Sequence, residues 1–362
     1  MKGRSVFIYC VCLIITIPTF THNYILASSG NIQELVIEEV GQYSDGGKLV
    51  VFEIVGDIAY TADFTWGLEV INITDPTNPS EIGSYDISEA RGVHIVDDVL
   101  YLSCNKNGLV VLNISDPTNP IKISEYSISD AHGMVHIGNI GYIANWYYGF
   151  DIINLTNKEK LVKISQFDDG GAVFSIKVVD DLAFISEFTT GLEILNVSDS
   201  LNPIKISQYS NGGEVVDVDI KEDIAYIADK KNGLEIIQIS DPFNPIKLGQ
   251  FDNGGDTVCV HVKDNMVYTT DWIDGLEIID ISNPASPVII TQYNDGGRAN
   301  YVRSINGLIY VADDSDGFKI FKLEESNDGT STDISKSTDI STSFVLTGFI
   351  ILFSIVVLQR KK

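Results

Sequence analysis

The stretch that decides the fold is GLEVINITDPTNP, residues 67–79, in which a glycine opens an apolar run and two prolines follow it. The run is too short for a helix and rich in Ile and Val, so it predicts a β-strand. Proline cannot donate an N–H group to a strand ladder, so the segment that follows predicts a turn.

The same pattern recurs along the chain at spacings of 41 or 42 residues. The glycines that open it are Gly67, Gly108, Gly149, Gly191, Gly233, Gly275 and Gly317. In the first unit, strands a to d are predicted at residues 49–55, 58–63, 68–73 and 81–85. Short strands at this period, without a helical pattern, predict an all-β fold, a seven-bladed β-propeller of four-stranded blades.

The last unit has no strand d after residues 317–323, because the chain continues into a polar tract. A matching segment lies at the other end, where Val36 to Tyr43 resembles Ser80 to Tyr85 of the first unit. We therefore expect the N-terminal strand to complete blade seven as its outermost strand. Such closure removes exposed strand edges that would favour aggregation.

The strand c sequences, such as LVVLN at residues 109–113 and LEIID at residues 276–280, resemble those of the LVIVD repeat family. The flanking ISDPFNP at residues 239–245 is also similar to that family. The resemblance covers about residues 36–323. It implies a β-propeller of bacterial or archaeal cell-surface proteins and implies no defined activity.

Both ends of the chain carry membrane-targeting patterns. Basic residues, an apolar run and small residues predict a signal peptide over residues 1–29, ahead of a propeller over residues 34–323. A polar flexible spacer, residues 324–339, precedes an uncharged segment, residues 340–358, close to the ~20 residues that cross a bilayer. The basic tail, residues 359–362, places the propeller outside the cell membrane in a single-pass arrangement. A buried core helix is the alternative for the apolar segment.

The chain carries a net charge of −26, which excludes nucleic acid as a partner because phosphate binding needs a basic surface. Such a charge favours cationic ligands or ions. Cys104 and Cys259 lie in the repeats, nearly four units apart, so a disulfide framework is not expected. No cofactor is predicted, with calcium or a transition metal as the alternative.

The loops between strands b and c and between strands d and a share one face, the top face. Loop aromatics are costly to expose unless they contact a partner. The candidate binding residues on this face are Trp66, Arg91, His132, Trp146, Tyr147 and Tyr148. They favour a binding or adhesion module for an extracellular protein or polysaccharide. Packing between neighbouring blades is the alternative for the aromatic rings.

Strand a of each blade is predicted to line a central channel. At equivalent positions near the lower half of strand a, the units have acidic, basic and histidine residues, which predict a hydrated channel with ion pairs. These residues are Glu53, His94, His136, Lys177, Asp219, His261 and Arg303. The imidazoles of His94, His132 and His136 form a candidate transition-metal site. The b–c loop aspartates, such as Asp63, together with strand c glutamates, are a second candidate for a cation. A structural role in tight turns is the alternative for these aspartates.

No catalytic motif is present, so enzymatic activity is not favoured. A hydrolase or lyase with its site at the channel mouth near blades two and three remains an alternative, as does a surface-layer scaffold. Four Asn-x-Ser/Thr sequences end strands c and are glycosylation candidates, at Asn72, Asn113, Asn154 and Asn196. Capping of the following turn by the asparagine side chain is the alternative role.

Overall fold

A computed structural model describes residues 25–26, 33–210, 212–314 and 316–325. The regular structure in these residues is β-strand throughout, arranged in seven sheets. The predicted seven-bladed β-propeller is confirmed.

The N-terminal segment contributes β1 (Ile25–Leu26) and β2 (Gln33–Tyr43), and blade one contains β3 (Leu49–Val55), β4 (Ile58–Asp63), β5 (Gly67–Asn72) and β6 (Ser80–Asp86). Blade two contains β7 (Gly92–Val96), β8 (Val99–Ser103), β9 (Leu109–Asn113) and β10 (Ile121–Tyr126). Blade three contains β11 (Met134–Ile137), β12 (Ile140–Ala144), β13 (Phe150–Asn154) and β14 (Val162–Phe167).

Blade four contains β15 (Val173–Val179), β16 (Leu182–Glu187), β17 (Gly191–Asn196) and β18 (Ile204–Tyr209). Blade five contains β19 (Val215–Lys221), β20 (Ile224–Asp229), β21 (Gly233–Gln238) and β22 (Ile246–Phe251). Blade six contains β23 (Thr257–Lys263), β24 (Met266–Asp271), β25 (Gly275–Asp280) and β26 (Val288–Tyr293), and blade seven contains β27 (Ala299–Ile305), β28 (Leu308–Asp313) and β29 (Gly317–Glu325).

Blade seven is completed by the N-terminal segment, as predicted. Its sheet has the order β1-β2-β29-β28-β27, with Tyr43 of β2 opposite Phe318 of β29. The strand starts at Gln33, earlier than predicted. It is not the outermost strand as predicted, because β1 pairs with its first residues as a short fifth strand that the repeat pattern does not contain. Strand β29 continues to Glu325, so the first residues assigned to the spacer belong to the sheet.

The hydrophobic core is divided into seven clusters of described residues, one between each pair of neighbouring blades. Strand β5 shows how one strand serves two of them. Leu68 and Val70 pack between blades one and two, whereas Ile71, on the opposite face, packs between blades seven and one. Both faces of each strand c are buried, which explains its nearly continuous apolar sequence.

Strands d contact the c–d turn of the next blade through a small residue. A Cβ atom on Gly41 would lie 2.0 Å from the carbonyl oxygen of Pro76, so strand β2 approaches blade one closely there. Where the residue is serine, its hydroxyl donates to the equivalent carbonyl, as from Ser207 to Pro242 at 2.5 Å. This contact recurs around the ring and holds successive blades in register.

Within the described residues, no helix is long and apolar enough to cross a membrane. The predicted transmembrane segment, residues 340–358, and the basic tail lie outside the described residues, as does the signal peptide apart from Ile25 and Leu26. Cys104 and Cys259 are buried and form no disulfide, which agrees with the sequence analysis.

Candidate functional site

A recess of about 580 Å³ lies at the top end of the central channel. Its walls are the first residues of strands a and the b–c loops above them. Pockets that hold small ligands typically measure roughly 300–1,000 Å³. The recess is therefore large enough to take a ligand.

In every blade but the second, the b–c loop residue that directly follows Asp63 or its equivalent lines the recess. Asp63 shows how this position is fixed, because its Oδ1 accepts the backbone N–H groups of Thr65 at 2.6 Å and Trp66 at 2.8 Å. The turn role considered for these aspartates is confirmed. The residues so presented are Phe64, Trp146, Phe188, Lys230, Trp272 and Asp314.

The Trp272 ring of the recess has one hydrogen bond and two neighbouring cations. Its indole Nε1–H donates to Asn300 Oδ1 at 3.1 Å, and the Asn300 amide donates to the carbonyl oxygen of Leu49 in blade one at 2.8 Å. The Arg298 guanidinium carbon lies 4.3 Å from the ring centroid and the Lys230 ammonium lies 5.3 Å from it. Cations over an indole face are attracted by the π-system, so both are positioned at the recess wall.

The recess is basic although the chain is strongly acidic. Among the described lining residues, six are Lys or Arg and two are Asp, whereas the chain as a whole carries −26. Arg91 and Arg298 form no ion pair with a described carboxylate, and the buried Nε of Arg91 has no hydrogen-bond partner. Donors that lack acceptors in a concave site point to an anionic ligand.

Of the six binding residues predicted from the sequence, three line the recess: Arg91, His132 and Trp146. The Trp146 ring lies 4.4 Å from the His132 ring and 4.2 Å from the Phe174 ring, so packing between blades and exposure to the recess both apply to it. The other three lie outside the recess on the top face, with exposed fractions of 49% for Trp66, 68% for Tyr147 and 49% for Tyr148.

Sequence reasoning missed several recess residues, namely Phe174, Phe188, Lys230 and Arg298. A signal for two of them was present. Phe188 and Lys230 directly follow Glu187 and Asp229, the equivalents of Asp63, and the same position holds Phe64, Trp146 and Trp272. Aligning the units on that residue would have placed all of these side chains on one ring.

His132 is an uncharged member of the recess. Burial, and next the nearby Arg91 guanidinium, lowers the pKa of His132 to about 3. Its Nε2 lies 3.5 Å from Asp130 Oδ1, a contact that is not an ion pair while the imidazole is neutral. His132 therefore offers a ring face and a hydrogen-bonding nitrogen to a ligand.

Below the recess, polar strand a residues pair around the channel, as predicted. His94 Nε2 and His136 Nδ1 are hydrogen-bonded at 2.7 Å. Asp219 contacts both the Lys177 ammonium at 3.2 Å and the His261 imidazole at 3.4 Å. These contacts involve most of the seven polar channel residues that were named from the sequence.

The structure joins His94 to His136 but places His132 against Trp146. In the part of the chain that is described, the groups whose ligand atoms converge within 4.8 Å consist of carboxylates and include no histidine. The histidine metal site stays a prediction. The hydrolase or lyase alternative also stays a prediction, without support from this geometry.

The four glycosylation candidates share one turn geometry on the bottom face. The side-chain oxygen of each accepts the backbone N–H two residues on, at 2.9 Å for Asn72, 2.9 Å for Asn113, 2.8 Å for Asn154 and 2.9 Å for Asn196. The capping role is therefore confirmed. Glycosylation at these residues stays a prediction.

The fold and the recess define a class, a seven-bladed propeller with a ligand-sized recess at its channel mouth. The LVIVD repeat model matches residues 47–87, 88–127, 170–211, 212–253 and 254–295, which together are more than half of the chain. The chain belongs to the LVIVD repeat family. No curated protein matches it significantly.

Solved propellers resemble the chain in fold. The propeller domain of Cps50 (Swd1) from Myceliophteria thermophila has a TM-score of 0.66 at 9% identity, covering 80% of this chain and 100% of that one. A putative 6-phosphogluconolactonase from Bacteroides fragilis has a TM-score of 0.62 at 10% identity, covering 81% and 95%. BamB from Moraxella catarrhalis has a TM-score of 0.54 at 10% identity, covering 84% and 95%. At these identities the likeness shows the fold alone.

Proposed function

We propose that this chain is a cell-surface binding module whose channel-mouth recess holds a negatively charged sugar segment of an extracellular polysaccharide. The observation that carries the proposal is the excess of Lys and Arg in the recess of a chain with net charge −26. Guanidinium groups bind carboxylates through paired hydrogen bonds. The aromatic walls provide flat apolar surface for the faces of sugar rings.

The recess brings together six cations and two carboxylates, and its Arg91 and Arg298 guanidinium groups form no ion pair with a described carboxylate. Arg91, Arg298 and Arg303 each lie over an aromatic ring, with the guanidinium carbons 4.9, 4.3 and 4.1 Å from the ring centroids. Like charges in a partly buried site raise its free energy, and a bound carboxylate would lower it. The concave walls also concentrate the positive potential at the mouth.

The shape of the site favours a chain-like sugar over a folded protein partner. Protein interfaces are typically extended, at about 800 Å² per partner, whereas this site is a recess of about 580 Å³. The sequence patterns of residues 1–29 and 340–358 support display outside the cell on a membrane anchor. An anchored propeller would hold its top face toward surrounding polysaccharide.

Calorimetric titration of the purified chain with a uronic acid oligosaccharide tests the proposal. The same oligosaccharide with its carboxyl groups reduced to alcohols is the ligand control. We expect Arg91→Ala and Arg298→Ala each to weaken binding by about tenfold, the effect of a central arginine contact. Lys122→Ala is the matched control, because Lys122 is an exposed cation that pairs with Glu125 on strand β10.

Two results would contradict the proposal. The reduced oligosaccharide could bind as tightly as the acidic one, or an acidic peptide could bind more tightly than either sugar. A Tyr147→Ala/Tyr148→Ala double variant separates the recess from the exposed rim of the top face. We expect it to retain most of the affinity, because neither ring lines the recess.

A further inference from the structure

We propose that three carboxylates of blade one, Asp45, Asp63 and Glu69, bind a divalent cation with oxygen ligands, Ca²⁺ in particular. Asp45 lies in the loop that enters strand β3, Asp63 ends β4, and Glu69 is in β5. Each offers one oxygen, and these oxygens lie within 4.8 Å of one another. We name this set the blade-one triad.

The repeat provides internal comparisons, because two other blades bring carboxylates together at the same place. In blade four, the Lys205 ammonium contacts Asp169 at 2.9 Å and also contacts Glu193. In blade seven, the Lys319 ammonium contacts Asp295, Asp313 and Asp316, the last two at 3.4 and 3.1 Å. Both groups therefore contain their own cation.

The blade-one triad lacks that ammonium. Lys205 of strand d lies opposite Leu195, and the residue at the same register in blade one, opposite Ile71, is Glu81. Among the described ion pairs of lysine, none reaches a member of the triad. Glu81 accepts the Tyr43 hydroxyl at 2.8 Å and places a carboxylate at the register where blade four has the Lys205 ammonium.

Glu69 is the member that points to a ligand. It is 5% exposed, its Oε2 accepts the Thr61 hydroxyl at 3.2 Å, and its buried Oε1 has no hydrogen-bond partner. Glu193 and Glu235 also have one unpartnered oxygen each, but the other oxygen of each contacts a lysine, Lys205 or Lys247. A buried carboxylate beside two others is strongly unfavourable without a counter-ion.

The chemistry of the set matches a hard cation. Ca²⁺ takes six to eight oxygen ligands, from mono- or bidentate carboxylates completed by water. Asp63 Oδ1 is used by backbone N–H groups, which leaves Oδ2 available. Asp45 is exposed, so the triad has a route for the ion and for coordinating water.

Terbium luminescence offers a direct readout, because Trp66 lies beside the triad and its backbone N–H donates to Asp63 Oδ1 at 2.8 Å. We expect the full chain to sensitise bound Tb³⁺ on tryptophan excitation and added Ca²⁺ to reverse the signal. Asp45→Asn and Glu69→Gln should each remove most of the signal. Asp169→Asn in blade four is the matched control and should leave it unchanged, because Lys205 already contacts that group.

A second variant, Glu81→Lys, inserts the ammonium that blade four has at this register. We expect it to abolish Ca²⁺ binding and the Ca²⁺-dependent rise in melting temperature while circular dichroism shows the fold retained. Saturable Ca²⁺ binding that survives Glu81→Lys unchanged would overturn the proposal. Absence of saturable binding to the native chain would overturn it too, and would mean that a proton on Glu69 replaces the ion.

Discussion

At the scale of single residues, the protonation of the channel residue His94 depends on its burial and its neighbours. A hydrogen bond of 2.7 Å joins His94 Nε2 to His136 Nδ1. The other ring nitrogen of His94, Nδ1, lies 3.6 Å from Glu53 Oε2. Burial, followed by His136 and Lys177, lowers the pKa of His94 to about 4. The imidazole is therefore neutral in the folded protein at neutral pH, and its contact with Glu53 is not an ion pair.

This shift predicts a loss of stability on acidification. The unfolded chain takes up a proton on His94 as the pH falls from 6.5 toward about 4, and the folded chain does not. The contribution of His94 to the free energy of unfolding should therefore fall over this window, by at most about 3 kcal/mol. Urea denaturation of the native chain and of a His94 variant, at about pH 7.5 and about pH 4.5, measures it.

The variant His94→Gln isolates that effect. Buried carboxylates such as Glu277, whose pKa is raised to about 7 by burial, act in the opposite direction, since they favour the folded state at low pH. The native chain and the variant share those groups, so the difference between them reports His94. We expect a smaller acid destabilisation in the variant. Equal losses in both proteins would contradict the assignment.

At the scale of elements, the Asn253-Gly254-Gly255 loop that leads into strand β23 uses its two glycines differently. Gly254 has a φ of +97°, with open space where a Cβ would lie. A Cβ on Gly255 would instead lie 2.3 Å from both carboxylate oxygens of Asp271. Positive φ thus requires the first glycine, and close contact with Asp271 requires the second.

Two substitutions separate these roles. Gly255→Ala should destabilise the fold by about 1–3 kcal/mol, because Asp271 is fully buried and bound to two backbone N–H groups. Gly254→Asn should cost less than about 1 kcal/mol, since asparagine tolerates left-handed φ. Chemical denaturation of both variants measures the difference. A larger cost for Gly254→Asn would show that backbone conformation dominates at both positions.

At the scale of the whole molecule, the ring is closed by two independent sets of contacts. Strand β2 pairs with β29 and packs Gly41 against Pro76 of blade one. Separately, the Leu49 N–H donates to the Asp314 carbonyl at 2.9 Å, and Asn300 donates to the Leu49 carbonyl. The first set covers the edge of β29, and the second joins the inner strands of blades seven and one.

Removing residues 1–43 should therefore weaken the molecule more than removing residues 1–32. The longer deletion uncovers β29 and removes Leu35 and Val40, which pack against two inter-blade clusters. We expect a loss of more than about 3 kcal/mol, since one or two buried apolar side chains contribute that much, and self-association through the free edge. Thermal unfolding and light scattering measure both. Equal behaviour of the two deletions would contradict the closing role of β2.

Much of this architecture could be predicted from the sequence because it rests on local patterns. The strand c run at residues 67–72, its proline turn and its recurrence determine the blades, and the match of β2 to β6 determines the closure. Strand ends differ from the prediction by up to three residues, since pairing across the sheet decides where a ladder stops. The turn role of Asp63 was also visible in its position.

A seven-bladed ring closed by its N-terminal strand follows from local sequence patterns, because each blade is specified within its own repeat. Tertiary structure alone decided the charge of the channel mouth. Arg91, Lys230 and Arg298 are far apart in the chain and meet because the ring brings equivalent loops to one axis. It likewise decided that Glu81 leaves the blade-one triad without a cation, since that contact depends on the register between neighbouring strands.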